Sequence, residues 1–401
     1  MKYLKKIKTI HILLILFFIF NLFILTEFPF VHSDESWLGG LSRHMLKSKD
    51  LGVTEPFFNL YPRNPHAIKI LFHIIQISFI KFYSYNIFTL RLISLIAATF
   101  SLLYFYKNTK LITNSNNLSL LSTFVIAIDV HYIYSSHLAR QESILILIFL
   151  ISTYYYLKSH HQNNKSIFND QFHKSFKNDI ILAALLGISI AIHPNSFIIS
   201  LPFILLYTTK LILTKNISLK EFIAFGTTLA SFATLLIFLS FKFDPNFFSN
   251  YSTYGDKLGV FSSIFTKIDR LDSFYKKIFY RISGTYYIPP IKLQLILFTL
   301  TSIYSLIKTI FTRDKNINFL LSLIVGINLA YIIIGRYNQT SIIFIFIPSY
   351  LLIAYNLSFL KSNWQKIIII PLILFLSFNS ISTILTDSHY NYDQYLANIA
   401  K

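Results

Sequence analysis

The chain has 401 residues, of which 54% are hydrophobic and 13% charged, with 41 Phe and no Cys. Apolar runs near twenty residues recur from end to end, which excludes a soluble globular domain, and the lack of thiols excludes disulfides and thiolate metal sites. The net charge of +19 therefore reads as cytoplasmic loops and lipid-phosphate contacts rather than nucleic-acid binding, for which no basic soluble domain is left.

The first element is a basic flank, Met1-Lys2-Tyr3-Leu4-Lys5-Lys6-Ile7-Lys8, followed by an apolar run to about Phe28. The run is long for a signal peptide and no small-x-small cleavage site follows, so it is predicted to be an uncleaved first transmembrane helix with its N-terminus inside. Residues 29–66 are too polar to span and are broken by Pro56, Pro62 and Pro65. The segment Ala67–Phe88 is apolar but carries Lys69, His73, Gln76 and Lys81. Further apolar segments follow at about 89–106, 117–134, 142–157, 179–192, 196–213, 221–241, 291–311, 317–335, 340–359 and 365–385.

Whether Ala67–Phe88 crosses the membrane sets the side of every later loop. If it does not cross, the loops with Lys107 and Lys110, Lys158 to Lys177, Lys210 to Lys220, Lys308 to Lys315, and Lys361 with Lys366 are all cytoplasmic. The positive-inside rule selects that choice. Ala67–Phe88 is then an interfacial or re-entrant helix whose polar residues reach headgroups or a cavity. The sequence thus predicts an all-α polytopic membrane protein of about eleven transmembrane helices, with interfacial helices in the first outer loop. Residues 1–401 form one integral membrane domain: a core at 1–241 that includes the first outer loop at 29–88, a long outer loop at 242–290, and C-terminal helices at 291–401. No internal repeat of the kind built into many transporters is visible.

The same parity gathers most non-lysine polar chemistry on the outer face. Asp34 and Glu35 lie just beyond the first helix, flanked by His32 and Trp37. A carboxylate there can act as general base toward an acceptor hydroxyl or amine. Glu35 could tune Asp34, contact the acceptor or bind a divalent cation. Arg63, His66, Lys69 and Arg91 can bind a lipid phosphate at the membrane edge, or snorkel to headgroups. Arg91 opens a span and needs a partner. Arg140 and Glu142 sit at an outer turn, as part of a binding site or as a pair pinning two helix ends. His193 and Asn195 flank Pro194 in a tight turn, as substrate contacts or as caps. The 242–290 loop holds Tyr251, Tyr254, Tyr275, Tyr280, Tyr286 and Tyr287, which could stack on sugars or anchor at the interface. Arg336-Tyr337 follows a span, where the Arg could hold a phosphate or cap helix carbonyls. His32, His66, His137 and His193 lack the spacing of metal ligands, and no metal site is predicted.

Four stretches together resemble GT-C fold glycosyltransferases of the protein O-mannosyltransferase and lipid A aminoarabinose transferase superfamily. His32-Ser33-Asp34-Glu35-Ser36-Trp37, through Met45-Leu46-Lys47-Ser48, is similar to the family's Asp-Glu motif and following helix. Tyr61-Pro62-Arg63-Asn64-Pro65-His66 stands where the family has Lys-Pro-Pro or His-Pro-Pro, although the double proline is broken here; Arg91-Leu92-Ile93-Ser94 follows after an apolar helix. Ser136-His137-Leu138-Ala139-Arg140-Gln141-Glu142 is similar to an Arg-x-Asp/Glu at an outer helix start, and Arg336-Tyr337 with Pro348 to a late Arg-Tyr…Pro signature. The likeness covers residues 1–200 well and the rest loosely.

The resemblance implies an inverting transfer of a sugar from a polyprenyl-phosphate donor in the outer leaflet to a glycan, lipid or protein acceptor. Asp34, with Glu35, would be catalytic. Arg91, Arg140, Arg336, Arg63 and Lys69 would bind the donor phosphate, and His66, Glu142, His193, Asn195 and Tyr337 the substrates. No cofactor is expected; a divalent cation stays open through Glu35. Two other readings fit a multi-span protein with outer cations: a transporter or flippase for a lipid-linked glycan, and an O-antigen polymerase or ligase. The first predicts charged or broken helices near mid-membrane; the second usually relies on outer-loop Arg and His rather than an Asp-Glu pair.

Overall fold

The computed structural model describes residues 8–53, 66–160, 168–214, 218–257, 259–282, 287–335 and 337–388. Among these residues the chain is helical with no strand. Sixteen α-helices follow in order: α1 Thr9–Phe23, α2 Ser33–Ser48, α3 Ile70–Tyr83, α4 Ile87–Thr113, α5 Asn116–Ala127, α6 Val130–His137, α7 Glu142–His160, α8 Phe168–Ile190, α9 Phe197–Thr209, α10 Leu219–Phe243, α11 Phe247–Lys257, α12 Ile264–Phe279, α13 Lys292–Thr312, α14 Lys315–Ile334, α15 Ile343–Leu357 and α16 Ser362–Ser388.

Each apolar segment read as a span is helical, and the segments 29–88 and 242–290, expected to be outer loops, hold α2–α3 and α11–α12. Eight helices, some extended by a short helical turn, are long and apolar enough to cross a membrane. The chain is thus a multi-pass membrane protein. The segment predicted at 117–134 is broken: α5 and α6 bend by 64° and form a ninth span only as a pair. At 15 residues α1 is short of the usual span length, and α8 opens with the polar stretch Asn169–Asp179, so length and composition alone do not reach eleven. With 14 residues, α3 extends about 21 Å, short of a hydrocarbon core of roughly 30 Å.

Local chemistry explains the boundaries. Asn86 starts α4 by accepting the Thr89 N–H at 2.8 Å, and Asn114 ends it in the left-handed conformation. The break between α5 and α6 is made by Asp129, whose Oδ1 accepts the N–H groups of His131 and Tyr132 at 2.8 and 3.1 Å. Its Oδ2 accepts from Gln294 Nε2 at 3.1 Å and Tyr350 Oη at 2.8 Å. An acid this deep is affordable because both oxygens are satisfied.

The innermost span is Gln339–Leu357, 94% buried, which contains α15. It packs against α4, α5, α13 and α14, while α4 also packs on α7, and α7 on α8. By contrast few residues of α10 and α13 are buried, 11% of the apolar stretch in each. Gly326 of α14 lets α9 approach: a Cβ there would lie 2.7 Å from the Pro202 Cα. This frame brings the α1–α2 link, the α6–α7 turn and the α8–α9 turn to one end of the bundle.

Candidate active site

The centre is built by the start of α2. His32 caps the helix: its Nδ1 accepts the Asp34 N–H at 3.1 Å, and Glu35 Oε1 accepts the His32 N–H at 2.9 Å. This is a capping box with His in place of Ser or Thr. It fixes the first turn, so that consecutive acids point in different directions. Asp34 has a side chain 39% exposed, whereas Glu35 is fully buried.

Glu35 pairs with Arg91 of α4. Arg91 Nε donates to Oε2 and Nη2 to Oε1, both at 2.9 Å. Glu35 Oε2 also accepts the Ala139 N–H at 2.8 Å. The remaining Arg91 donors go to the carbonyls of Leu25 (2.9 Å), Pro29 (2.8 Å) and Phe30 (3.3 Å). All five N–H groups of the guanidinium are therefore used inside the protein. Two sequence-based assignments need correction on this geometry. Arg91 has no donor left for a phosphate, and Glu35 has neither exposure nor a free oxygen direction for an acceptor or cation. Together they tie the exit of α1, the start of α2, α4 and the α6–α7 turn.

Asp34 is held from the other side. Arg140 Nη1 donates to Asp34 Oδ2. Arg140 is 4% exposed and its Nη2 donates to Glu142 Oε1 at 2.9 Å, with Nε at 3.1 and 3.2 Å from the two carboxylate oxygens. Glu142 Oε1 also accepts from Thr340 Oγ1 at 2.9 Å, tying in the turn before α15. Arg140 thus stands between two carboxylates and orients Asp34, which corrects its expected part in donor-phosphate binding to a positioning one.

The third group is cationic. Lys69 precedes α3 with φ +84° and its Nζ lies 5.7 Å from the Trp37 ring centre. Its segment is anchored: the Ala67 N–H donates to Ser240 Oγ at 2.9 Å and the Leu71 N–H to the Ala191 carbonyl at 3.0 Å. His66 sits edge-on to Tyr251 at 5.7 Å and near Phe247 at 6.3 Å, both on α11. Its Nδ1 is buried without a hydrogen-bond partner. Burial, and then the charge of Lys69, push the His66 pKa down to about 4. His193 accepts the Asn195 N–H on Nδ1 at 2.9 Å. Its pKa is also well lowered, by burial first and then by Lys69, Arg140, His66 and His73. His193 therefore lies within the fields of both Lys69 and Arg140, which joins the cationic side to the Asp34 side.

His73 and Gln76, read as reaching headgroups or a cavity, instead fasten α3 to α2. Ser42 Oγ is 2.8 Å from His73 Nδ1 and 2.6 Å from Gln76 Oε1, and all three are buried. Tyr337 packs 4.6 Å from the rings of Tyr331 and Phe274, with its hydroxyl buried and unpartnered. Of the loop tyrosines, Tyr275 donates to Asn328 Oδ1 at 2.6 Å and Tyr287 packs on Phe28 and Tyr134. Arg63, Arg336, Tyr286 and the Tyr61–Pro65 stretch lie outside the described residues. Among the described residues no group of three or more His, Cys, Asp or Glu could hold a metal ion.

No protein-family model and no curated protein matches the chain. Solved structures match in fold, among them two states of one protein. ArnT from Cupriavidus metallidurans bound to undecaprenyl phosphate aligns with a TM-score of 0.62 at 12% identity, over 89% of this chain and 62% of that one. The apo state of the same protein aligns at 0.59, again with 12% identity, over 88% and 61%. The chain has the GT-C fold. It spans about three fifths of the length of ArnT. Within the GT-C fold of this chain, the acid-bearing helix start, the Arg140 turn and the Lys69–His193 region meet at one end of the bundle.

Sequence reasoning missed Thr340, Ser42 and Asp129. For Asp129 a signal existed: a lone acid within the 117–134 run, where a buried ionisable group demands partners. Thr340 and Ser42 carry no such mark, because a hydroxyl gains meaning only from what the fold places beside it.

Proposed function

We propose that this protein is an inverting glycosyltransferase that moves a sugar from a polyprenyl-phosphate donor to an acceptor at the outer face of the membrane. The observation that carries the reading is the division of labour between adjacent acids. Glu35 is locked inside with Arg91, while Asp34 keeps an exposed carboxylate oriented by Arg140, and the charges of Arg140 and Lys69 both act on His193. A positioned and accessible carboxylate beside a cationic region is what base-assisted displacement of a phosphate leaving group requires. The similar ArnT structure holds undecaprenyl phosphate, in keeping with a polyprenyl-phosphate partner.

In the proposed step Asp34 takes the proton of the acceptor hydroxyl or amine. The acceptor atom forms its bond to the anomeric carbon as the bond from that carbon to the phosphate oxygen breaks, and the electron pair leaves with the polyprenyl phosphate. Lys69 is the described cation assigned to that phosphate, with Arg63 and Arg336 retained as further candidates. His66, His193, Asn195 and Tyr337 are assigned to the substrates. Glu142 acts through Arg140 and not on the substrate.

The test is transfer of radiolabelled sugar from synthetic polyprenyl-phosphate sugars to a membrane extract by the purified protein. Label appearing in an acceptor fraction only with the protein present supports the proposal. Intact donor across a panel of hexose and pentose carriers would contradict it.

A further inference from the structure

A pocket of about 540 Å³ opens where the end of α12 meets the start of α13 and the flank of α16. Two exposed cations line it, Arg281 and Lys292. Among the described residues no acid lines it, and neither cation takes part in a salt bridge. Two like charges brought to one pocket without a counter-charge repel each other, and an anion between them relieves that repulsion.

Local structure does not explain why these cations stand here. Arg281 occupies the left-handed position after α12 (φ +51°), where glycine is the favoured residue. Its Nε donates to the Ile288 carbonyl at 3.1 Å and its guanidinium lies 6.0 Å from the Tyr287 ring centre. Lys292 is the first residue of α13, where the helix dipole disfavours a cation. Its Nζ lies 4.7 Å from the Phe279 ring centre. Asn379 Nδ2 donates to the Pro290 carbonyl at 2.9 Å, which fastens the entry of α13 to α16.

Beyond the cations the pocket turns apolar. Leu293, Ile296 and Phe375 line it and are each about two-fifths exposed. The same outward side of α13 continues through Leu300 and Ile303, both exposed. Since α13 is long and apolar enough to span, its first residue marks the edge of the hydrocarbon. From Lys292 to Ile303 is about 16 Å at the helical rise, close to the roughly 15 Å of one leaflet.

We infer that this pocket holds an anionic phospholipid: Arg281 and Lys292 take its phosphodiester, and one acyl chain lies along the outward side of α13. Cations at the hydrocarbon edge stand at the level of lipid phosphate. A zwitterionic lipid would bring an ammonium to a pocket with no acid to receive it. The site is separate from the donor region, because Lys69 precedes α3 and His193 lies in the α8–α9 turn. It does not depend on Asp34 being the base.

The test is native mass spectrometry of the full chain released from detergent. The chain is titrated with phosphatidylglycerol, with phosphatidylcholine of the same acyl chains, with polyprenyl phosphate and with inorganic phosphate. Phosphatidylglycerol is expected to stay bound where phosphatidylcholine is lost. Arg281→Gln and Lys292→Gln should each weaken its retention about fivefold. Lys277→Gln removes an exposed charge of α12 outside the pocket and should not. The two pocket variants read the site independently, so either suffices if the other aggregates. Equal retention of the two phospholipids, an equal loss in Lys277→Gln, displacement by inorganic phosphate, or displacement by equimolar polyprenyl phosphate would each overturn the inference.

Discussion

Arg91 grips Glu35 through two parallel hydrogen bonds of 2.9 Å, with neither side chain exposed. The pair is ion and scaffold at once, because its remaining bonds reach the carbonyls after α1 and the backbone of Ala139, next to Arg140. It sets where Asp34 and Arg140 meet. Removing one partner of such a buried pair leaves an uncompensated charge, typically a loss of about 3–5 kcal/mol. Arg91→Leu and Glu35→Leu should each lower the thermal midpoint strongly and yield little folded protein in detergent. Fluorescence-detected size exclusion across a heating series measures this. Wild-type midpoints with selective loss of transfer would instead return the pair to substrate binding.

Lys69 is predicted to act on the donor. Its removal forfeits a charge-assisted contact to phosphate, about 1.5–3 kcal/mol, so Lys69→Met should reduce kcat/KM for the donor roughly tenfold to a hundredfold. The thermal midpoint should change little, since Lys69 lies at a helix start and over a ring face rather than in the core. Initial rates at varied donor, with acceptor saturating, give the measurement.

Much of the fold was legible because spans declare themselves by apolar length, and each such segment is helical here. The bent α5–α6 pair was not, although Asp129 lay in plain view within the run. In the site, Asp34 was legible from an acid placed at a helix exit. The different fates of Asp34 and Glu35 were not, because they depend on a helix start capped by His32, an unusual residue for that role. Arg91 announced its need for a partner, but Glu35 stands 56 residues away in the chain, and only the fold shows that it is not a phosphate. The approach of Lys69 to His193 is likewise tertiary.

His66 supplies a pH signature. Its pKa is lowered from the ordinary 6.5 to about 4 in the folded protein, so between those values the unfolded state binds the extra proton. Stability from this residue is complete above about pH 6.5 and lost as pH falls through 4. Unfolding midpoints taken from pH 7.5 to 4 should therefore decline less steeply for His66→Gln than for wild type. Parallel profiles would show that the imidazole is not held neutral.

Membrane sidedness can be tested cleanly because the chain contains no Cys. With the N-terminus inside, Lys110 at the end of α4 faces the cytoplasm. Lys110→Cys should resist an impermeant maleimide on intact cells and react after permeabilisation. Ser33→Cys, at the start of α2, should label on intact cells. The reverse pattern would place Asp34 on the inner side and remove the outer-face assignment.

The central claim is that Asp34 is the base. Asp34→Asn is nearly isosteric and can still accept from Arg140, so the fold should survive. General-base catalysis is worth about 10²–10⁴ in rate. Purified wild type and Asp34→Asn, compared for sugar transfer from the same polyprenyl-phosphate donor at equal folded concentration, should differ in kcat by at least a hundredfold. A variant that transfers sugar as fast as wild type would contradict the account.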